Sequence, residues 1–381
     1  MGNRSSSIQP AGPPPVLSAA VIGDVAKFQE SWTGEESIQA RDRQENNVLH
    51  ALFSYRGVEN DNCSQILNRI HNSLSASQVK AAYRARNALG CTPLWILVAY
   101  GNVALLKEVR QKFADDDQMD DFPAMLRQPN NQGDSPFLAT CSQGNTDMMR
   151  FLKGEILTPD QFTTALTEAN KKGTTPLQII VGNNHTSLLE YVLQEGETAV
   201  QEQMLESNAA GLSLFHICSE RNAYEILQTI LTFMIGGGRQ TVITKEENSE
   251  GETGLLDQIL SLKDKNGANA LHIAAFCGNV ETVQFWIDVI KKTYSGKDDN
   301  NSQKSIIAML DKLDGQARTA YWLGMVQGRD AIGKLLADEG VDTENPKMVK
   351  EIEEAQEKRS KAAAARQQQN RTIDGGALLD R

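Results

Sequence analysis

A short block recurs along this chain, and its recurrence limits the fold more than any other feature. It is clearest at Lys263–Trp286, KDKNGANALHIAAFCGNVETVQFW. Asp264 to Gly267 carry turn chemistry: Asp and Asn side chains bond their own backbone, and Gly accepts a positive φ. Leu271, Ile273, Ala274 and Ala275 then mark a small apolar helix, which Cys277-Gly278-Asn279 ends. Val280, Val283, Phe285 and Ile287 resume an apolar face on a second helix. One such block is too small to bury its own apolar face, so copies of it have to stack.

Sliding the block along the chain finds the others. Val16 opens a copy without its turn, through Leu17-Ser18-Ala19-Ala20, Gly23-Asp24-Val25 and Phe28, as an N-terminal cap would. Full copies begin at Asp42–His50, Asn87–Trp95, Asn130–Phe137, Asn170–Leu177 and Asn208–His216, and a degenerate one spans Asp314–Gly328. In Thr92-Pro93-Leu94 and Thr175-Pro176-Leu177, Thr caps the coming helix, and Pro fits its first turn because its missing N–H costs nothing there.

These residues carry a resemblance. The Thr-Pro-Leu runs, the Leu271-His272 pair and the Gly-Asn break between helices are similar to the signature of the ankyrin-repeat family. The resemblance implies an all-α ankyrin-repeat solenoid of helix-turn-helix units. The spacing departs from it. Aligned positions fall at 49, 94, 137, 177, 215, 271 and 321, every step longer than the family's period of about 33. Short amphipathic segments fill the difference: Val79–Tyr83, Phe122–Leu126, Phe162–Leu166, Val200–Leu205, Leu255–Leu262 and Ile306–Leu313. Their apolar spacing predicts extra short helices between repeats. Padded repeats of this kind resemble the ankyrin effectors of intracellular bacteria, which are type IV secretion substrates.

The expected organisation has three parts. Residues 1–15, MGNRSSSIQPAGPPP, cannot pack a core and read as a disordered leader. Its Gly2 and Ser6 also fit the N-myristoylation pattern. Residues 16–340 form the array, about seven or eight units with degenerate caps. Residues 341–381 are a charged C-terminal helix and tail: Asn345-Pro346 starts the helix, and Glu354/Lys358 and Glu357/Lys361 support it at i,i+4. No continuous apolar face is evident there, so that helix is expected to project into solvent. Gly236–Gly254 and Tyr294–Asn301 read as loops.

Composition narrows the function. The net charge of −11 provides no basic stripe, so nucleic acid is not an expected partner. No apolar run reaches transmembrane length, and no signal peptide opens the chain. Five scattered cysteines suit a reducing compartment, and a cytoplasmic location is expected, in the host cytoplasm if the chain is an effector.

Catalytic chemistry finds few spare parts. His50, His216 and His272 share one repeat position, and His185 opens a second helix after Asn184. The family resemblance makes these four structural, with the first three bonded to neighbouring turn backbones. Cys91, Cys141, Cys218 and Cys277 fall on finger or inner-helix positions, where a small apolar residue packs. No metal-ligand spacing occurs, and Asp115–Asp121 reads as a solvated loop. No catalytic, cofactor-binding or metal site is therefore expected, and the chain is read as a non-enzyme.

What remains is a recognition surface. In ankyrin arrays the fingers and inner helices line one concave face. The resemblance places on it Tyr55, Tyr100, Gln143, Asn183, Arg221 and Gln327 at the inner-helix column, and Lys171, Lys172 and Lys265 at finger tips. The expected function is a protein-interaction scaffold, monomeric, binding another protein on that face. Membrane association through the N-terminus is at most weak, because a single acyl chain holds a protein only reversibly. Two other classes stay open: an enzyme with its site hidden in the inserts, and a membrane-tethered adaptor.

Overall fold

Asp264 shows how one repeat is built. Its Oδ1 accepts from the backbone N–H groups of Asn266 and Ala268, each at 2.8 Å, and so holds the finger closed. Asp42, Asn87, Asn130, Asn170, Asn208 and Asp314 make the same pair of bonds in their own fingers. The fingers also bond one another: Asn131 donates its N–H to the carbonyl of Leu89, and Gly315 to that of Asn266. That approach explains the glycine at the fingertip. A Cβ at Gly133, whose φ is +83°, would stand 2.8 Å from the backbone nitrogen of Lys171.

The computed structural model describes residues 12–57, 60–115, 122–195, 200, 203–236, 250–294 and 299–376. Gly2 with most of the leader, most of the acidic run Asp115–Asp121, most of Gly236–Gly254 and residues 295–298 lie outside the described residues. The chain is all-α, an ankyrin-like solenoid, and divides into two compact units, Met1–Val200 and Gln201–Arg381.

In the first unit the N-terminal cap is α1 (Pro15–Ile22) and α2 (Val25–Ser31), followed by α3 (Glu35–Gln39). Each of the next three repeats has an inner helix, an outer helix and an added one. These are α4 (Val48–Phe53), α5 (Asn60–Ser73) and α6 (Ala76–Arg84); α7 (Pro93–Tyr100), α8 (Val103–Asp115) and α9 (Phe122–Met125); then α10 (Pro136–Gln143), α11 (Thr146–Phe151) and α12 (Pro159–Thr167). The helices α13 (Pro176–Gly182) and α14 (Thr186–Glu195) follow. The inner helices α1, α4, α7, α10 and α13 stack in sequence, and so do the outer helices α2, α5, α8, α11 and α14.

The second unit repeats the scheme with α15 (Leu214–Arg221) and α16 (Tyr224–Gly236), then α17 (Glu250–Ser261), α18 (Ala270–Cys277), α19 (Val280–Tyr294) and α20 (Asp299–Leu310). It ends with α21 (Ala320–Gln327), α22 (Asp330–Asp338) and α23 (Pro346–Gly376). The added helices α6, α9, α12, α17 and α20 lie where five of the six amphipathic segments predict them; residues 201 and 202 of the sixth, Val200–Leu205, lie outside the described residues.

Three expectations change in detail. The ends of both expected loops are helical: residues 250–254 open α17, Tyr294 closes α19 and residues 299–301 open α20. On α19 the buried stripe is Val283, Trp286, Ile287, Ile290 and Tyr294, an i, i+3, i+4, i+7 pattern; Val280 is exposed and Phe285 half-buried. And α23 does not project from its first residue. It packs on α21, the place the next inner helix would take, with Met348 and Ile352 buried. From Glu353 to Arg366 it is mainly exposed, with a Lys361–Glu357 ion pair at 2.6 Å.

Candidate functional site

The histidines come first, because their placement decides whether they are available for chemistry. His50, His216 and His272 each stand three residues past the N-cap of an inner helix. The backbone N–H of Asn47 donates to Nδ1 of His50, which leaves Nε2–H to donate to the carbonyl of Cys91 at 2.9 Å. His216 reaches Ala268 O at 3.0 Å and His272 reaches Arg318 O at 3.1 Å in the same way. Burial pushes His50 down to about 4, and lowers His216 and His272 as well. Neutral rings that spend both nitrogens on backbone are joints between fingers, not general bases. His185 bonds Ser142 O at 2.9 Å from the turn before α14.

Sequence reasoning missed one member of this series. Trp95 holds the same position in α7 and donates its indole N–H to Asp134 O at 2.8 Å. Its register beside Leu94 is the signal that could have found it. Four of the five thiols are equally unavailable, while Cys277 is half-buried. Burial raises Cys63 and Cys91 to about 11 and pushes Cys141 and Cys218 higher still, so thiolate character is suppressed. Among the described residues no cluster of three or more His, Cys, Asp or Glu side chains could hold a metal ion. No described helix is long and apolar enough to cross a membrane.

Three of the expected contact residues come together. Tyr100 and Gln143 end α7 and α10, and Tyr55 follows α4 by two residues, so the inner-helix ends bring them to one groove of about 410 Å³. Arg56, Ala99, Asn102 and Asn145 complete its walls. Tyr100 is 41% exposed, and the Arg56 guanidinium lies 4.6 Å from its ring centroid. Tyr55 is half-buried because its ring lies against Gly23, where φ is +68° and a Cβ would stand 2.9 Å away. Arg56 sits in a loop outside any periodic pattern, and sequence reasoning did not single it out.

The other expected contacts are exposed but not gathered into that groove. Lys171 and Lys172 form a fingertip, where the Lys171 ammonium already donates to Asn131 O at 2.9 Å. Asn183 caps α13, with Nδ2 bonded to Ile179 O at 3.0 Å. In the second unit, Arg221 and Gln327 end α15 and α21, and Lys265 is at a fingertip.

Comparison with known proteins fits this geometry. The NAD-dependent deacetylase sir2B of Dictyostelium discoideum is 21% identical over 246 residues, which is 63% of this chain and 30% of that protein. The chain thus spans less than a third of that relative's length. Residues 266–285 match the family model described as Ankyrin repeat. Those residues run from a fingertip through His272 to the outer helix, and the match supports an ankyrin-repeat protein.

Proposed function

We propose that the chain is a protein-interaction module whose principal contact is the groove of Tyr55, Tyr100 and Gln143 in the first unit. The observation that carries this reading is Tyr100, exposed at a helix end with Arg56 stacked on its face. Aromatic and Arg side chains dominate the energetics of binding patches because they bring large contact area and several donors on few rotatable bonds. Gln143 adds an amide group at the rim, where Asn102 and Asn145 are committed to the backbone N–H groups of Leu105 and Met148. A partner segment with an apolar anchor beside a carboxylate or carbonyl would complement them. Quantitative capture from cell lysate, wild type beside Tyr100→Ala, tests this; partners lost by the variant at unchanged melting temperature support the groove.

The catalytic alternative takes its only support from the name of the Dictyostelium relative, a deacetylase. An assay of NAD-dependent deacylation on an acetyl-lysine peptide tests it, and turnover by the purified chain would replace the non-enzyme reading. Delivery into a host cytoplasm as a secreted effector rests on the padded spacing and on the acidic stretch Glu351–Glu357, which resembles the C-terminal segments of type IV secretion substrates. The Gly2 pattern adds a further proposal, weak and reversible membrane contact. Expression of wild type and Gly2→Ala in eukaryotic cells, followed by fractionation and intact mass, tests it: identical soluble distribution and no added mass would remove it.

A further inference from the structure

The last repeat of the second unit is finished on its helices and left open at its finger. Two repeats before α21, at the end of α15, the carbonyls of Ser219 and Glu220 are bonded by Asn279 Nδ2. On α21 that task falls to Arg359 of α23, which donates to Met325 O at 3.1 Å and Val326 O at 3.0 Å. Among the described residues the finger has no such substitute. Trp322 stands where Trp95, His216 and His272 stand in their own repeats, but its Nε1 is shielded from solvent and has no acceptor. Gln316 holds the register position of Leu89 and Asn266, whose carbonyls receive the next finger.

These groups surround a cavity of about 690 Å³, lined also by Asp311, Leu313, Asp342 and Lys347. Asp311 Oδ1 is a second buried atom without a partner, and Leu313 is 50% exposed. We propose that this open end binds an extended segment of a partner protein carrying a lysine or arginine.

A peptide backbone offers what the missing finger would: a carbonyl for the Trp322 indole and an N–H for Gln316 O. The fingertip methyl does not prevent this. Ala317 has φ +59°, and Glu45 occupies the same position at φ +61°, yet its finger still receives Ala88 N–H on Gln44 O at 2.8 Å. The charge of the cavity selects a basic side chain. Asp311, Asp342 and Glu351 line it, while Arg318 is committed to Asp314 at 2.6 Å and Lys347 is the other lining cation. Burial, with the charge of Asp342 added, holds the Asp311 carboxyl above its usual range, and an incoming ammonium or guanidinium would relieve that. Arg318 lies over the Trp322 ring, 5.3 Å from its centroid, and is the long side chain a peptide would have to move.

The test uses the ¹⁵N-labelled full chain and a positional-scanning library of blocked extended octapeptides. Of the four tryptophan indole resonances, the one absent from Trp322→Phe should move downfield on titration, with Lys or Arg selected at one position. Trp322→Phe should weaken the selected peptide about tenfold, as loss of one shielded hydrogen bond does. Asp311→Asn, which preserves volume, should remove the preference for a basic residue. The proposal is overturned if no peptide moves that resonance, if both variants bind as wild type does, or if the resonance moves only with protein concentration, which would make the occupant a second copy. The site uses none of the groove residues of the first unit, so either can fail without the other.

Discussion

Trp95 donates its indole N–H to the backbone carbonyl of Asp134 at 2.8 Å, and so ties α7 to the following finger as His50 ties α4 to Cys91 at 2.9 Å. Two chemically different rings thus serve one joint, because the joint needs only a ring N–H at a fixed reach. Trp95→Phe keeps most of the ring volume and leaves the Asp134 carbonyl without its donor. It should lower stability by about 1–3 kcal/mol, and Trp95→His should lose less than Trp95→Leu. Urea unfolding of the three variants checks this; a Phe variant as stable as wild type would show the bond to be incidental.

The neutral histidines make stability depend on acid. In the unfolded chain His50 takes a proton near pH 6.5, whereas the folded ring holds out to about 4. The unfolded state therefore binds more protons in that window, and stability falls as pH drops from 6.5 toward 4. The loss from His50 alone is about 3 kcal/mol at pH 4. His216 and His272 act in the same direction. His50→Gln, which places there the side chain that α13 carries at the same position as Gln178, should flatten the slope. Chemical denaturation at closely spaced pH values reads it, and an unaltered slope would mean that His50 does not titrate as its surroundings require.

The C-terminal helix should behave as two segments. Truncation after Asn345 removes buried Met348 and Ile352 together with Arg359, and should cost the second unit at least about 3 kcal/mol. Truncation after Arg366 removes a largely polar, Gly-containing stretch, QQQNRTIDGGALLDR, and should leave the melting temperature within a degree or two. Equal melting temperatures for the two truncations would contradict the cap assigned to α23.

Much of this architecture was legible in the sequence, for a physical reason. A finger needs Asp or Asn at its start and a residue tolerant of positive φ at its tip, and an inner helix needs small apolar residues in register. Asp264, Gly267 and Leu271 announce all three at once. The added helices were legible from the spacing of residues such as Leu255, Leu256, Ile259 and Leu260, all four buried. The α23 cap was not. Two apolar residues four apart, Met348 and Ile352, make too small a stripe to stand out from a charged helix, and the Arg359 contact depends on where α21 ends. In the groove, Tyr55, Tyr100 and Gln143 were legible because helix ends form a column. Arg56 was hidden, since no period governs a loop residue, and so was Trp322, whose missing acceptor shows only when the neighbouring repeats are compared.

The claim that the groove between α4, α7 and α10 is a protein-binding surface is tested most directly by one capture experiment. Wild type, Tyr100→Ala and the double variant Tyr100→Ala/Arg56→Ala are used as bait at matched concentration, with circular dichroism confirming equal helicity and melting temperature. Bound proteins are quantified by mass spectrometry. Wild type should hold a discrete set of partners, reduced at least about tenfold by Tyr100→Ala, the loss expected for one aromatic anchor, and further by the double variant. The same partners captured at the same level by all three proteins would contradict the claim.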